Sequence, residues 1–259
     1  MGSRTTATYY YLGEWLSQYK PKRKGKKKVT SSLQMKAAVF SDFDGTITLQ
    51  DSNDYLTDHL GFGKEERRKV FAGVLDGTKP FREGFRAMLD SVHEPLDKCI
   101  ERLLAHIELD PGFVGTAEWC HEKGVPLVVI SSGMKPIIEA LIGKLVGAER
   151  AKELQIEVIA NDVKVDEATG EWHIVYRDDS PHGHDKARTI AECKKKFAVD
   201  KYFYCGDGVS DLTAARECDV LFAREGCDLV PYCDRHGIPY VKFNNFTEIR
   251  EKIEAEMSR

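Results

Sequence analysis

The sequence predicts an α/β fold in which a Rossmann-like core of parallel strands carries an inserted helical segment. Three short apolar runs support this prediction: AAVFSDFDGT from Ala37, PLVVISSG from Pro126 and KYFYCGDG from Lys201. Continuous apolar runs are typical of strands buried on both faces of a parallel sheet. Each run is followed by a polar loop. The second and third then enter a helical pattern, which indicates a parallel sheet with helices on both faces.

The long stretch between the first and second apolar runs predicts a helical cap. It covers roughly residues 49–123 and has apolar residues at helical spacing, for example at Val70 and Val74. A crossover between parallel strands commonly needs only about a dozen residues. We therefore assign residues 51–111 to the cap. The α/β core then comprises residues 35–50 and 112–259.

Two further segments complete the predicted core. Residues 155–177 contain the runs QIEVIANDVKVD and EWHIVYR, which are separated by turn residues from Glu167 to Gly170. This pattern predicts a β-hairpin. The final segment, GIPYVKFNNFTEIREKI, predicts an edge strand followed by a closing amphipathic helix.

Residues 1–34 differ in charge from the rest of the chain. They hold eight basic side chains and one acidic side chain, a net charge of +7, so the remainder carries −11 of the chain total of −4. Blocks of like charge repel one another, and we predict a disordered basic leader. The basic run between Lys20 and Lys28 leaves a nuclear-targeting or nucleic-acid-binding segment as the alternative. Those lysines lack the interleaved aromatic residues that stack on bases, so a nucleic-acid partner is not favoured.

Composition narrows the class of protein only slightly. The 42% hydrophobic and 31% charged residues are ordinary for a globular chain. Seven single cysteines without a CxxC pair argue against a zinc site, and their odd number without a secretory signal predicts a reducing, cytoplasmic location. The basic leader leaves the nucleus as an alternative. No apolar run approaches the ~20 residues of a membrane span, and nothing indicates an oligomeric state.

Acidic residues follow two of the predicted strands. Asp42 and Asp44 flank a phenylalanine after the first strand, and Asp207 and Asp211 follow the third. A DxD pair alone is equally consistent with a solvated acidic turn. Because ligands bind at the carboxyl ends of parallel strands, however, we expect all four acids to meet there. Their mutual repulsion would require a cation, and carboxylate oxygens favour Mg²⁺.

Polar residues after the second strand and before a later helix predict an anion site. Ser131, Ser132 and Gly133 offer hydroxyl and backbone donors at the start of a helix, although a hydroxyl pair is as often a helix cap. Lys186 lies near a helix start, where the helix dipole does not favour a cation, so an anionic partner explains it better. The adjacent His182 and His184 are interpreted as loop or packing residues, since magnesium prefers oxygen ligands.

Taken in order, these segments resemble the four motifs of haloacid-dehalogenase-type phosphatases. The matching segments are DFDGT at Asp42, the Ser131–Gly133 loop, the isolated Lys186 and GDGVSD at Asp207. Each motif alone is loose, whereas four in the correct order are specific. The resemblance covers the chain from about Lys36 to its end and implies Mg²⁺-dependent hydrolysis of a small phosphomonoester.

The resemblance also implies roles for individual residues. Asp42 would attack phosphorus and form an aspartyl-phosphate, and Asp44 would act as acid and base. Mg²⁺ would be held by Asp42, Asp207 and the Asp44 carbonyl, with Asp211 supporting the metal-bound water or Lys186. Thr46 would orient the Asp44 loop, and the cap would close over the substrate. Residues expected around the substrate and its phosphate are Thr46, Asp51, Ser131, Ser132, Gly133 and Lys186.

The helical cap is similar to that of the phosphoserine phosphatase branch. The phrases TLQDSNDYL and YCDRHGIPYVKF look more like fungal polyol-phosphate phosphatases and the phosphatases of methionine salvage. Phosphoserine phosphatases carry a glutamate at the offset of Asp51, and no arginine aligns clearly with their carboxylate-binding arginine, although Arg82 and Arg86 lie nearby. A polyol or sugar phosphate is therefore the expected substrate. Alternatives are a phosphoserine or methionine-salvage phosphatase and a phosphoryl mutase; a non-catalytic binding protein is the least favoured reading, since no motif residue is lost.

Overall fold

The computed structural model describes residues 36–75 and 78–258, and these contain one seven-stranded sheet. The basic leader lies outside the described residues. The strand order is β4-β3-β2-β1-β5-β6-β7, and every neighbouring pair is parallel except β3 with β4. The strands are β1 (Ala37–Ser41), β2 (Leu127–Met134), β3 (Glu157–Val165), β4 (Trp172–Val175), β5 (Lys201–Gly206), β6 (Val220–Arg224) and β7 (Val241–Phe243). The predicted Rossmann-like fold class is confirmed.

Helices cover the sheet and fill the insertion between β1 and β2. The inserted helices are α1 (Ser52–Leu60), α2 (Lys64–Leu75), α3 (Phe81–Asp90) and α4 (Leu96–His106). The others are α5 (Phe113–Glu122), α6 (Lys135–Ile142), α7 (Ala148–Glu153), α8 (Lys186–Lys196), α9 (Leu212–Ala215), α10 (Leu229–His236) and α11 (Phe246–Met257). A π turn, Gly143–Gly147, joins α6 to α7, and a short 3₁₀ turn, Val209–Asp211, precedes α9.

The central strand β1 explains why the sheet is buried on both faces. All five of its residues are buried. Val39 and Phe43 pack into the apolar cluster on one face, whereas Phe40 packs with Ile130 and Tyr204 on the other. Successive side chains of a strand point to opposite faces, so a continuous apolar run serves both layers. Polar residues therefore have to follow the strand rather than interrupt it.

The antiparallel hairpin β3–β4 reaches from the sheet to the inserted helices. The Trp172 indole N–H donates to the Glu94 carbonyl at 2.9 Å, just before α4. The hydroxyl of Tyr176, after β4, donates to the Arg82 carbonyl at 2.5 Å in α3. These bonds fix the inserted helices relative to the core at a point far along the chain from their own linkers.

The two linkers of the helical segment meet at the edge of the sheet. Thr48 and Leu109 form an antiparallel bridge, and the Asp110 N–H donates to the Ile47 carbonyl at 2.9 Å. Arg224, at the end of β6, donates to the Asp110 carboxylate at 2.7 Å and to the Thr46 carbonyl at 2.6 Å. Within the described residues, no helix combines the length and apolarity needed to cross a membrane.

Candidate active site

The ends of the adjacent strands β1 and β5 bring three carboxylates together. Asp42 follows β1 and continues its pairing, since its N–H donates to the Cys205 carbonyl of β5 at 2.9 Å. Asp207 follows β5 directly, and Asp211 ends the 3₁₀ turn after it. One oxygen from each of Asp42, Asp207 and Asp211 lies within 4.8 Å of the others. Parallel register therefore assembles a site from residues about 165 positions apart in sequence.

Lys186 supplies a buried positive charge to this cluster. It is the first residue of α8, whose N-cap Asp185 accepts a hydrogen bond from the Arg188 N–H. Its Nζ lies 2.6 Å from Asp42 Oδ2 and 2.8 Å from Asp211 Oδ1. Burial lowers the pKa of Lys186, but the charges of Asp211 and Asp42 outweigh this and raise it above the usual lysine value. The lysine is therefore a permanent cation within the site.

Asp42 has a donor on each carboxylate oxygen. The Phe43 N–H donates to Oδ1 at 2.7 Å, and Lys186 contacts Oδ2. Burial raises its pKa to about 7, with Lys186 lowering it and Asp211 raising it again. A carboxylate held from both sides presents a fixed nucleophile, and its charge depends on the cations beside it.

Asp44 is held by α1 rather than by the sheet. The Ser52 N–H donates to Oδ1 at 2.8 Å, and Asn53 Nδ2 donates to Oδ2 at 3.0 Å. Burial raises the pKa of Asp44 to about 8, and the nearby Asp51 carboxylate raises it further, against the hydrogen bonds from Ser52. A carboxyl group whose pKa lies near neutrality can both give and take a proton.

Asp207 and Asp211 have different surroundings. Thr46 Oγ1 donates to Asp207 Oδ1 at 3.1 Å, so the structure directs this hydroxyl to Asp207. Burial raises the pKa of Asp207 well above its usual value, and the Asp211 charge adds to this. Gly45 has φ +70°, and a Cβ there would lie 2.5 Å from Asp207 Oδ2. Glycine is therefore required both by the turn and by the close approach of the carboxylate.

Asp211 is saturated with donors. Lys186 Nζ and the Tyr204 hydroxyl donate to Oδ1 at 2.8 and 2.6 Å, while the N–H groups of Asp207 and Gly208 donate to Oδ2 at 3.1 Å each. Burial alone would raise the pKa of Asp211, but Lys186 and these hydrogen bonds lower it. Its oxygens are already occupied, which favours Asp42 and Asp207 over Asp211 as cation ligands.

The end of β2 lies beside Asp44. Ser131 Oγ accepts a hydrogen bond from the Gly133 N–H at 2.9 Å, and a Cβ at Gly133 would lie 2.8 Å from Asp44 Oδ2. The Ser132 carbonyl accepts a hydrogen bond from Asn161 at 2.7 Å. Ser131, Ser132 and Gly133 belong to the last part of β2 and do not form the predicted loop after it, and they lie at the same edge of the sheet as Asp44. Asp51 instead caps α1, since its carboxylate accepts the N–H groups of Asn53 and Asp54.

The two histidines before α8 differ in burial. His182 is exposed, whereas His184 is buried. His184 Nδ1 donates to the Ser131 carbonyl at 2.6 Å, so Nε2 accepts from the Thr189 hydroxyl at 2.9 Å. Burial lowers the pKa of His184 to about 4. His184 is a neutral residue that ties the loop before Lys186 to the end of β2.

The donor set fits a hard divalent cation. Three carboxylates converge within 4.8 Å at the cluster, oxygen is the ligand that Mg²⁺ prefers, and one lysine cannot neutralise them all. Burial above all, and then the charge of Asp211, raise the pKa values of Asp42 and Asp207, and a bound cation would counter both effects. Residues Asp42 and Asp207 with the Asp44 carbonyl remain the ligand set that we propose.

Comparison with known proteins identifies the family. The family model of haloacid dehalogenase-like hydrolases matches residues 39–216. The chain belongs to this family. It is 55% identical to polyol phosphate phosphatase PYP1 of Saccharomyces cerevisiae, over 83% of this chain and 91% of the relative. It is 29% identical to a 2-hydroxy-3-keto-5-methylthiopentenyl-1-phosphate phosphatase of Microcystis aeruginosa, over 85% and 98% of the two chains.

Solved structures agree with this placement at the level of the fold. A substrate-bound phosphoserine phosphatase aligns with a TM-score of 0.64 at 15% identity, covering 85% of this chain and 99% of that chain. A phosphoserine phosphatase with a phospho-aspartyl intermediate analogue aligns with a TM-score of 0.61 at 16% identity and the same coverage. This haloacid dehalogenase-like hydrolase is a phosphatase, as the sequence predicted.

Sequence reasoning missed residues that act through contacts distant in the chain. Tyr204 lies within an apolar strand, so its hydroxyl bond to Asp211 gave no signal. Asn53 follows the DxD motif closely, and its place as the second residue of α1, just after the N-cap Asp51, could have indicated it. Arg224 joins both linkers of the helical segment, and an arginine ending an apolar strand is a weak signal for such a role.

Proposed function

We propose that this phosphatase hydrolyses a small phosphomonoester, with a polyol or sugar phosphate favoured, through an aspartyl-phosphate on Asp42 and with Mg²⁺ as cofactor. The observation that carries the proposal is the contact of Asp42 with Lys186, 2.6 Å apart, beside an Asp44 whose pKa is raised to about 8. A nucleophile, a phosphate-neutralising cation and an acid thus share one buried edge of the sheet.

In the first step an Asp42 carboxylate oxygen forms a bond to phosphorus as the ester P–O bond breaks. Asp44 gives its proton to the departing alkoxide, so the alcohol leaves neutral. Lys186 and the hydroxyl and N–H donors of the Ser131–Gly133 segment would stabilise the negative charge on the transferring phosphoryl oxygens. The helical segment of α1–α4 would act as a cap that excludes bulk water during this step.

In the second step water attacks phosphorus, Asp44 takes up a proton from that water, and the Asp42–phosphorus bond breaks to release inorganic phosphate. Asp44 returns to its protonated form and Asp42 to its carboxylate, so the cycle balances. When bound by Asp42, Asp207 and the Asp44 carbonyl, Mg²⁺ would offset the charge repulsion between the nucleophile and the phosphate. Thr46 would hold Asp207 in place for that ligation.

The surroundings of Arg82 support a hydroxyl-rich substrate over an amino-acid phosphate. Its Nη1 donates to the carbonyls of Asp178 and Ser180 at 2.6 and 3.3 Å, and its guanidinium lies 4.4 Å from the Tyr176 ring centroid. Arg82 is thereby engaged with the core instead of a substrate carboxylate. The 55% identical yeast relative is named a polyol phosphate phosphatase, which supports the same substrate class.

The proposal extends to where the protein acts. All seven cysteines are free thiols, and five of them are buried in the apolar clusters: Cys99, Cys120, Cys193, Cys205 and Cys233. Reduced thiols are typical of proteins of a reducing compartment, which supports the proposed cytoplasmic location.

A turnover screen with Mg²⁺ tests the proposal against phosphorylated polyols, sugars and amino acids. We expect a preference of at least about tenfold in kcat/KM, ~1.4 kcal/mol in transition-state binding, for a polyol or sugar phosphate over phosphoserine. Asp42→Asn serves as the control and should lose all but a trace of turnover while keeping its fold. Better turnover of phosphoserine would refute the substrate class, and an active Asp42→Asn would refute the covalent mechanism.

A further inference from the structure

Both carboxylate oxygens of Asp44 are held by the first turn of α1, the first helix of the inserted segment. The Ser52 N–H donates to Oδ1 at 2.8 Å and Asn53 Nδ2 donates to Oδ2 at 3.0 Å. Ser52 is 1% exposed and Asn53 is 4% exposed, so both bonds are shielded from water. Hydrogen bonds to a charged group in such surroundings are stronger and more directional than exposed ones.

The turn that makes these contacts is itself fixed. The Asp51 carboxylate accepts the N–H groups of Asn53 and Asp54 at 2.8 and 2.9 Å, which is the contact of a helix N-cap. One turn later, Thr57 Oγ1 donates to the Asn53 carbonyl at 2.9 Å. The Asp51 cap therefore fixes the direction of the Ser52 and Asn53 donors toward Asp44, whereas Thr57 contacts only the helix backbone.

The oxygen of the Asn53 side-chain amide indicates that Asn53 serves to hold Asp44 and not to improve packing. Asn53 Oδ1 is buried and has no hydrogen-bond partner among the described residues. A buried acceptor without a donor is destabilising. Once Asp44 has given up its proton, a reversed amide would point Oδ1 at the ionised carboxylate, so two acceptors would face each other. An apolar side chain of similar size would avoid this cost, whereas only a donor can hold Asp44.

We propose that Asn53, together with the Ser52 N–H, is a positioning residue that orients the Asp44 carboxyl toward the leaving oxygen of the substrate. This inference rests on the proposed function, in which Asp44 is the acid and base. Asn53 acts through Asp44 and does not itself touch the reacting atoms. Its loss should then weaken proton transfer specifically, and leave the attack of Asp42 on phosphorus in place.

Substrates with different leaving groups separate these two effects. An alkyl phosphate such as glycerol phosphate needs a proton on its departing oxygen, whereas p-nitrophenyl phosphate has an acidic leaving group and needs little help. For Asn53→Leu we expect kcat/KM, which reports only the steps up to release of the alcohol, to fall at least about tenfold for glycerol phosphate and to change by less than about threefold for the aryl phosphate. The melting temperature should stay close to that of the wild type, because Leu removes the unsatisfied acceptor but also removes the donor to Asp44.

A proline at position 52 tests the backbone N–H that donates to Asp44. Ser52 is the first residue of α1, a position that accepts proline, and Asp51 has φ −83° and ψ 120°, which is compatible with a following proline. Ser52→Pro therefore keeps the helix but deletes the N–H to Asp44 and puts the ring Cδ where that hydrogen pointed, so Asp44 must move away from α1; Ser52→Ala is its matched control because it keeps that N–H. We expect the selective loss with the alkyl substrate to be larger in Ser52→Pro than in Ser52→Ala.

Thr57→Val is the control for α1 itself, since it removes a buried hydroxyl that bonds to the backbone carbonyl of Asn53 and not to Asp44. Turnover of the alkyl phosphate and of the aryl phosphate should change by the same factor in this variant. Should Asn53→Leu fail to melt cooperatively, Asn53→Ala carries the same test. Equal losses for both substrates in the folded Asn53 variant, or no loss, would overturn the inference. Asp44→Asn is measured in parallel. Equal losses for both substrates in Asp44→Asn would refute the proposed role of Asp44 itself. A loss confined to the alkyl phosphate in Asp44→Asn, with no such loss in the Asn53 variant, would overturn the inference about Asn53 and leave the role of Asp44 standing.

Discussion

Replacing Asp211 with asparagine tests whether this carboxylate is the structural counter-charge of Lys186. Asparagine offers one acceptor oxygen and one NH₂ donor in place of two acceptor oxygens. If its oxygen takes the N–H groups of Asp207 and Gly208, its NH₂ faces Lys186 Nζ and the Tyr204 hydroxyl, which now lie 2.8 and 2.6 Å from Oδ1. The opposite rotamer loses the two backbone donors instead.

The cost follows from these contacts. A hydrogen bond to a charged group contributes about 1.5–3 kcal/mol, and Lys186 and Tyr204 both donate to the Asp211 carboxylate, so losing both bonds costs about 3–6 kcal/mol. Lys186 keeps Asp42 as a partner at 2.6 Å, which limits the loss to the lower part of that range. We therefore expect the free energy of unfolding to fall by about 3–4 kcal/mol and Tm to fall by roughly 6–16 °C.

Urea denaturation in EDTA, followed by tryptophan fluorescence, measures this free energy of unfolding without a bound cation. Tyr204→Phe is the matched control because it removes one donor from Asp211 and keeps the charge pair, and it should cost about 1.5–3 kcal/mol. An Asp211→Asn variant within about 1 kcal/mol of the wild type would refute the assignment of Asp211 as the counter-charge.

Two further predictions concern the loop between β4 and α8. Burial lowers the pKa of His184 from 6.5 to about 4. As the pH falls from 6.5 to 4, His184 is therefore protonated in the unfolded chain but not in the folded protein. The free energy of unfolding should fall by about 3 kcal/mol over this range. His184→Asn should lose this pH dependence in urea denaturation between pH 7 and 4, and an unchanged profile would contradict the assignment. Arg82→Met should lower turnover of polyol phosphate and phosphoserine by the same factor, because Arg82 binds loop carbonyls; a loss confined to phosphoserine would show that it binds the substrate carboxylate.

The strand ends were predictable because their signals are local. Buried strands such as β1 need an unbroken apolar run, and Asp42 and Asp207 stand out where the runs of β1 and β5 end. Rules for parallel sheets then place both residues at one edge. The Rossmann-like fold and the convergence of these acids follow from that reasoning without knowledge of any contact, whereas the place of Lys186 beside them was implied by the family resemblance.

Contacts across the fold were not predictable in this way. The bond of Tyr204 to Asp211 depends on how the turn after β5 folds back, and Tyr204 fits its strand equally well as an apolar residue. Arg82 was considered for a substrate carboxylate, but its partners are backbone carbonyls at 178 and 180, which no sequence pattern marks. Long-range partners of this kind are decided by tertiary packing, which local propensity does not encode.

The departures from ordinary burial rules are concentrated where chemistry is proposed. Lys186 is 2% exposed and Asp211 is 0% exposed, and a buried ion pair commonly contributes less stability than apolar residues of the same volume. Asn53 adds a buried acceptor without a partner among the described residues. A core selected for stability alone would replace all three with apolar side chains. Because these residues surround Asp42 and Asp44, their unfavourable burial is best explained by the need to hold a nucleophile and an acid in fixed positions.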